Sequence, residues 1–390
     1  MDNSLNSELL AQLDALDARN RRRSLRVLTA DQGRLVGVDG RRLIDVSSND
    51  YLGLSQHPLT KSRAADWAGR YGAGAPSSRL VTGTRGIALE LEERLAAFKG
   101  CEAALLIGSG FQANTTVIPA LATLGDTLIF SDSLNHSSIV HGCRLAKART
   151  MIFRHNDLDH LDELLRASAA HRGRRLIVTE SVFSMDGDRC DLAALIKLAE
   201  QHGAALYVDE AHAVGVIGPQ GRGLVAELPA TSGKVDVVMG TLGKAFGAYG
   251  AYIAGSRALI DFLVNRCAGF IYATALPPAV LGAVDAALDL IPAMDAERTR
   301  LAANAAKLRH ALNASGLDTL QSATQIVPAI IGTEMAALAA ASRLNDAGIL
   351  AVAIRPPTVA EGTSRLRFSL NSALTDADMD ELLAAVGTLA

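Results

Sequence analysis

The sequence has few of the features that mark secreted, membrane-spanning or nucleic-acid-binding proteins. Its four cysteines, Cys101, Cys143, Cys190 and Cys267, include no C-x-x-C pair. This spacing disfavours a metal site or a disulfide framework and is typical of a reducing, cytoplasmic location. The most apolar long window, residues 275–294, contains two aspartates and three prolines, so no membrane span is expected. The formal net charge of -3 provides no positive field that would attract nucleic acid.

The 390 residues are enough for a large domain with a smaller companion. Between residues 103 and 254, short apolar runs alternate with helical patterns, which is typical of an α/β fold whose parallel sheet is covered on both faces. The segment 279–315 is predicted to be helical. We therefore predict a helical N-terminal arm over 1–44, a large α/β domain over 45–280, and a smaller α+β C-terminal domain over 281–390.

Residues 209–212 spell Asp-Glu-Ala-His, the letters that name a helicase family. A helicase needs the phosphate loop G-x-x-x-x-G-K-[ST], because the final hydroxyl binds magnesium. The two Gly-Lys pairs end at Lys234 and Lys244 and are followed by Val235 and Ala245, so neither supplies that hydroxyl. The glycine run at 108–114 lacks the third glycine of a dinucleotide site and predicts only an anion site at a helix N-terminus. The sequence does not indicate nucleotide binding.

Polar residues follow two of the predicted buried strands. Asp209 follows "ALYV", His212 comes three residues later, and Lys244 follows "VDVVMG" in a glycine-rich segment. Ligands in open α/β sheets bind beyond the carboxyl ends of the strands. Alone, Asp209 could cap a helix and His212 could be a buried structural histidine. Lys244 favours a site, because an amine among small apolar residues can attack carbonyls, whereas other lysines such as Lys99 fall in predicted helices or surface loops.

A carbonyl-capturing lysine, a strand-end carboxylate, a nearby histidine and an anion site together indicate pyridoxal 5′-phosphate (PLP). PLP is an electron sink, and a carboxylate that keeps its ring nitrogen protonated stabilises a carbanion at the substrate α-carbon. Asp209 fits this carboxylate, and His136 could stack on the ring. The predicted phosphate site comprises Ser109, Gly110, Phe111, Ser184 and Thr241.

Seven segments along nearly the whole chain, in the right order, resemble the α-oxoamine synthases, which are PLP-dependent transferases of fold type I. These segments are SSNDYLGLS at 47–55, GSGFQAN at 108–114, SDSLNHSS at 131–138, TESVFSMDGD at 179–188, VDEAHAVGVIG at 208–218, GTLGKAFG at 240–247 and AIRPPTVAEGTSRLRFSL at 353–370. The resemblance implies a large domain with a mostly parallel sheet and a smaller α+β domain, with PLP as the cofactor.

The resemblance also implies a role for each matching residue around the cofactor. Lys244 would hold PLP and act as the base, and Asp209 would pair with the ring nitrogen. His212 would contact the ring hydroxyl, with Glu180 nearby, and His136 would stack on the ring.

Further positions match residues that face the substrates and a second subunit. Arg355 would grip the amino-acid carboxylate with help from Asn49, and Arg23, or alternatively Arg26, would face the acyl thioester. Thr274 would reach the phosphate bound by the neighbouring subunit of a homodimer.

The reaction implied is a decarboxylative condensation of L-alanine with a pimeloyl thioester, carried by CoA or by a carrier protein, in biotin biosynthesis. The segment AIRPPTV favours this reaction over that of a glycine-using sister enzyme, 2-amino-3-ketobutyrate CoA ligase or 5-aminolevulinate synthase.

Overall fold

A computed structural model describes residues 4–31, 34–37, 40–228 and 234–389. The chain forms two compact units. The larger unit comprises Asn49–Ser184 and Asp188–Thr299, and the smaller unit comprises Met1–Ser48, Met185–Gly187 and Arg300–Ala390. The N-terminal residues thus belong to the same unit as the C-terminal residues. The division into domains over 1–44, 45–280 and 281–390 stays a prediction. Within the described ranges, no helix is long and apolar enough to cross a membrane.

The secondary structure alternates helices and strands through most of the chain. The helices are α1 (Leu5–Ala18), α2 (Pro58–Tyr71), α3 (Gly86–Lys99), α4 (Gly110–Ala122), α5 (Ser137–Leu145), α6 (Leu158–Ala167), α7 (Leu192–Gln201), α8 (Arg257–Arg266), α9 (Ala268–Ile271), α10 (Pro278–Leu290), α11 (Asp295–Ala314), α12 (Glu334–Asp346) and α13 (Asp376–Val386). The strands are β1 (Leu28–Asp31), β2 (Arg34–Gly37), β3 (Arg42–Asp45), β4 (Ala103–Ile107), β5 (Thr127–Asp132), β6 (Arg149–Phe153), β7 (Arg174–Glu180), β8 (Ala205–Asp209), β9 (Val237–Thr241), β10 (Ala251–Gly255), β11 (Ile326–Gly332), β12 (Ile349–Leu350), β13 (Val352–Ile354) and β14 (Ser364–Ser369).

The larger unit is built around a seven-stranded sheet in the order β4-β10-β9-β8-β7-β5-β6. Strands β9, β8, β7, β5 and β6 pair in parallel, as predicted. Strand β10 differs, because it runs antiparallel to both β4 and β9. The short segment 242–250 returns the chain directly beside β9, without the helical crossover that a parallel partner needs. The sheet is therefore mixed, with one reversed strand.

The strands of this sheet are apolar because helices cover them. Ile129, Val178 and Tyr207, on β5, β7 and β8, are completely buried. They share a core with Val117 and Ile118 of α4. Burying a large apolar side chain stabilises a fold by roughly 1.5–3 kcal/mol. This packing holds α4 against the sheet and fixes the position of its N-terminus.

The smaller unit contains two short sheets, β1-β2-β3-β12 and β11-β14-β13. Its helix α1 buries no residue against the described chain.

The predicted helical segment 279–315 is interrupted between α10 and α11 by a 3₁₀ turn at Ile291–Ala293. Pro292 lies in this turn, and proline cannot donate the backbone hydrogen bond that would continue a helix.

Candidate active site

Several strands of the seven-stranded sheet end at one edge. Glu180, the last residue of β7, pairs in register with Asp209, the last residue of β8. On the other side of β8, Asp209 lies opposite Met239 of β9. Because parallel strands have their carboxyl ends at the same edge, these side chains converge there. The prediction of strand-end positions for Asp209 and for the segment preceding Lys244 is confirmed.

A cavity of about 150 Å³ lies at this edge, within the larger unit. Its lining combines an amine, two carboxylates, two imidazoles and the first turn of α4. The predicted residues that line it are Gly110, Phe111, His136, Glu180, Asp209, His212, Thr241 and Lys244. Asn114, Ser138, Ala211 and Met239 complete the lining and were not predicted.

The carboxylate of Asp209 is buried and held by two donors. Its Oδ1 accepts the backbone N–H of Ala211 at 2.8 Å, and its Oδ2 accepts the side-chain amide of Asn114 at 2.8 Å. Only 4% of Asp209 is exposed to solvent. These two hydrogen bonds offset part of the cost of burying a polar group. Asp209 is thus a fixed acceptor at the wall of the cavity.

Lys244 and His212 form a hydrogen-bonded pair. The Lys244 Nζ lies 2.7 Å from His212 Nε2, and His212 Nδ1 lies 2.6 Å from the Tyr51 hydroxyl. Tyr51 in turn donates to the Asn49 side-chain oxygen at 3.2 Å. The Tyr51 hydroxyl and the Lys244 amine thus hold the two ring nitrogens of His212. Asn49, predicted to assist substrate binding, therefore belongs to the chain of contacts that orients His212.

His136 and Glu180 are joined through the backbone. The N–H of His136 donates to Glu180 Oε1 at 2.5 Å. Burial raises the pKa of Glu180 well above its ordinary value, and the Asp209 carboxylate on the adjacent strand raises it further. Burial lowers the pKa of His136. The Asp209 charge raises this pKa, and the Lys244 charge lowers it further. These directions favour a protonated Glu180 and a neutral His136 near pH 7.

The first turn of α4 has the features of an anion site. Ser109 is the N-cap of α4, and its hydroxyl accepts the N–H of Gln112 at 3.1 Å. The other N–H groups of a first helical turn have no partner within the helix, and together with the helix dipole they favour a phosphate. Thr241, at the end of β9, also lines the cavity. Ser109 itself caps the helix without lining the cavity.

Two other predicted residues of the larger unit do not line this cavity in the single chain. Ser184 is buried and is not part of the cavity lining. Thr274 pairs through its backbone with Ser78 and lines a different, small cavity that also includes Arg79 and Leu276. The predicted role of Thr274 concerns a second subunit.

Arg23 and Arg355 come together in the smaller unit, where they line a cavity of about 470 Å³. Arg23 donates to the Thr358 hydroxyl at 3.3 Å, and Arg355 donates to the backbone oxygen of Asn20. Burial lowers the pKa of Arg355, and the neighbouring Arg23 charge lowers it further. Arg26 instead donates to Asn345 and is not part of this lining. Two guanidinium groups at one cavity favour binding of a carboxylate.

The cavity at the strand edge fits PLP by the chemistry of its donors. Lys244 supplies an amine for the aldehyde, Asp209 a carboxylate for the ring nitrogen, and the N-terminus of α4 backbone donors for the phosphate.

Comparisons with known proteins agree with this assignment. The model of the family described as aminotransferase class I and II matches residues 41–386. An 8-amino-7-oxononanoate synthase of Gluconacetobacter diazotrophicus is 54% identical over 380 residues, which are 96% of this chain and 94% of the relative. A high-resolution structure of SPT with PLP has a TM-score of 0.91 at 27% identity and covers 99% of this chain and 98% of that one.

A second solved structure, the 8-amino-7-oxononanoate synthase of Francisella tularensis, has a TM-score of 0.75 at 28% identity. The match covers 89% of this chain and 97% of that one. The predicted fold class and cofactor are confirmed. The chain therefore belongs to the aminotransferase class I and II family and, within it, to the 8-amino-7-oxononanoate synthases, PLP-dependent acyltransferases of the α-oxoamine synthase type.

Proposed function

We propose that this enzyme condenses L-alanine with a pimeloyl thioester, on CoA or on a carrier protein, to give 8-amino-7-oxononanoate, carbon dioxide and a free thiol. The alanine α-carbon forms a bond to the thioester carbonyl carbon, the C–S bond breaks, and the alanine carboxyl group leaves. The observation that supports this most is the cavity lined by both the Lys244 amine and the Asp209 carboxylate. The chain that forms it is 54% identical to a relative named 8-amino-7-oxononanoate synthase.

Lys244 would bind the cofactor covalently and move the substrate α-proton at Nζ. When bound, PLP supplies a carbonyl for amines and a ring that accepts the electron pair of the α-carbon. The 2.7 Å contact with His212 Nε2 holds the Lys244 amine in place, and the Tyr51 hydroxyl holds the imidazole. Asp209, fixed by two N–H donors, would keep the ring nitrogen protonated.

His136 and Glu180 would act on the other groups of the reaction. A neutral His136 can stack on the cofactor ring and donate a hydrogen bond to the β-keto acid as it loses carbon dioxide. Glu180, which receives the N–H of His136, would hold the residue beside the ring. His212 would contact the ring hydroxyl, while Ser109, Gly110, Phe111, Ser184 and Thr241 would surround the phosphate.

Substrate carboxylates would be bound by the arginines of the smaller unit. Arg355 would bind the carboxylate of alanine, since a planar guanidinium can donate two parallel hydrogen bonds to it. Arg23 would face the acyl chain, and its place beside Arg355 in the same cavity favours it over Arg26.

The enzyme would act as a homodimer in which Thr274 reaches the phosphate bound by the partner. In the single chain, α1 leaves apolar side chains such as Leu5 and Leu9 more than half exposed, and Tyr272, two residues before Thr274, is 84% exposed. A second copy would cover such surfaces. Light scattering at a range of concentrations tests this, and a monomer at micromolar concentration would contradict it.

The decisive experiment measures free thiol released from pimeloyl-CoA by the PLP-loaded protein, with L-alanine and with glycine in parallel. We expect release with alanine, little with glycine, and loss of at least about 100-fold in Lys244→Ala, since the base and the covalent link disappear together. Lys197→Ala, an exposed lysine on α7, is the matched control and should retain activity. Release only with glycine and a short acyl-CoA would instead support a glycine-using sister enzyme.

A further inference from the structure

Asn114 of α4 connects two residues of the PLP cavity that are far apart in the sequence. Its side chain is completely buried. The amide nitrogen donates to Asp209 Oδ2 at 2.8 Å and to the Ser138 hydroxyl at 2.9 Å. The amide oxygen accepts the Tyr207 hydroxyl at 2.7 Å. Both N–H donors and the oxygen of the amide are thus bonded to groups that are themselves buried.

The direction of these bonds follows from the chemistry of the partners. An ionised carboxylate can only accept, so the Asn114 group that faces Asp209 must be its NH₂. The reversed amide would put its oxygen against the carboxylate and its NH₂ against the Tyr207 hydroxyl. Burial raises the pKa of Tyr207 well above its ordinary value, and Asp209 raises it further, so that hydroxyl keeps its proton. Because the Asn114 NH₂ is committed to Asp209 and Ser138, the hydroxyl donates this proton to the amide oxygen. Tyr207 therefore stabilises Asn114 in the orientation that suits Asp209.

Ser138 carries this direction on to His136. Because the Ser138 hydroxyl accepts from Asn114, its own proton is available for His136 Nδ1, which lies 2.7 Å away. The backbone N–H of Ser138 also points at Nδ1, at 3.2 Å. Two donors on Nδ1 leave no room for a proton on that atom. The proton of a neutral His136 then resides on Nε2.

We propose that Tyr207, Asn114 and Ser138 are positioning residues, which fix the acceptor direction of Asp209 and the Nε2–H tautomer of His136 through one directional chain of hydrogen bonds. The inference rests on the proposed roles of Asp209 and His136, and it names the groups that keep those two residues ready for PLP. His136 with Nδ1 unprotonated presents its N–H only through Nε2, so a proton donor is available at one defined atom. None of the three positioning residues needs to touch a reacting atom.

Tyr207→Phe is the most specific test, because it removes only the oxygen that orients the Asn114 amide. The sheet provides a matched control in Tyr252→Phe. Tyr252 of β10 is equally buried, and its hydroxyl has no hydrogen-bond partner within the part of the chain that the structure describes. Both variants remove one buried hydroxyl from the same sheet, but only one of them breaks the chain.

The first readout is the tautomer of His136 in the PLP-free protein, measured by ¹⁵N NMR with labelled histidine and assigned with His136→Gln. We expect Nε2 protonated and Nδ1 unprotonated in the wild type, mixed tautomers in Tyr207→Phe and Ser138→Ala, and no change in Tyr252→Phe. A wild-type His136 with its proton on Nδ1 would overturn the proposal. Equal spectra of Tyr207→Phe and Tyr252→Phe would also overturn it. If Tyr207→Phe does not fold, an unchanged His136 tautomer in Ser138→Ala would overturn it instead.

The second readout is the dissociation constant of PLP, obtained by absorbance titration. Loss of a hydrogen bond to a charged acceptor should weaken PLP binding roughly 10-fold in Asn114→Leu and less in Tyr207→Phe, with Tyr252→Phe unchanged. Unchanged PLP binding in Asn114→Leu would count against the positioning of Asp209. Neither readout uses the amino-acid or acyl substrate, so both are independent of whether the enzyme uses alanine with a pimeloyl thioester or glycine with a shorter acyl-CoA.

Discussion

His155 of the larger unit lies between two aspartates. Its Nδ1 is 3.0 Å from Asp132 Oδ1 and its Nε2 is 2.8 Å from Asp188 Oδ2, and both carboxylates are buried. The ring also meets Phe183 edge-on, with 4.4 Å between centroids. Since both ring nitrogens face carboxylates, the doubly protonated imidazolium is the form that satisfies the site. Burial alone would lower the pKa of His155, but the hydrogen bonds and charges of Asp132 and Asp188 raise it from 6.5 to about 10.

This pKa makes the stability of the folded chain depend on pH. The folded-state pKa lies above that of the unfolded chain, so the stabilisation is complete below pH 6.5 and is lost as the pH rises through about 10. At about 1.4 kcal/mol per pKa unit the full difference corresponds to at most ~5 kcal/mol. The side chain is 24% exposed, and solvent screening reduces the expected contribution to roughly 2–3 kcal/mol.

Urea unfolding, followed by circular dichroism at pH 6, 8 and 10, measures this contribution. We expect His155→Gln to lower the free energy of unfolding by roughly 2–3 kcal/mol at pH 6 and by much less at pH 10. His202→Gln is the control, because His202 meets a single carboxylate, the partly exposed Asp162, at 2.7 Å. A loss in His155→Gln that stays constant from pH 6 to pH 10 would refute the assignment of an imidazolium.

Two further predictions concern the packing behind the cavity. Lys99→Met should lower the free energy of unfolding by about 3–5 kcal/mol, because Glu210 would remain as a buried, unpaired charge. Adding Glu210→Leu should restore part of this loss. Urea midpoints that fall equally in the single and the double variant would contradict the pairing. Gly240→Ala should destabilise the sheet by about 1–3 kcal/mol, because the new methyl would lie 2.3 Å from the Tyr252 ring. Tyr252→Leu should relieve that effect in the double variant, and a double variant no more stable than Gly240→Ala would exclude the clash.

Much of the larger unit could be predicted from the sequence, because its information is local. Apolar runs bounded by glycine and polar residues predicted each strand of the seven-stranded sheet to within a residue or two. Gly100 ends α3 in the left-handed conformation, as expected of a helix C-cap. Asp209 and Lys244 were placed correctly for the same reason, since each follows a recognisable strand.

Other features depend on contacts between residues far apart in the sequence, and the periodicity of apolar residues does not predict such contacts. Lys99 was expected in a helix or surface loop; it does end α3, yet its amine is buried 2.5 Å from Glu210, a residue 111 positions away. The reversal of β10 likewise depends on the pairing of the strand and not on its composition.

By itself, the sequence determined the strands, the glycine-rich segment around Lys244 and the carboxylate at the end of β8, because backbone preference and burial act over a few residues. Only the tertiary structure decided that Asn114, Tyr207 and Ser138 surround that carboxylate and His136. Hydrogen bonds between side chains require fixed distances in three dimensions, and those distances exist only after helix α4 has packed on the sheet.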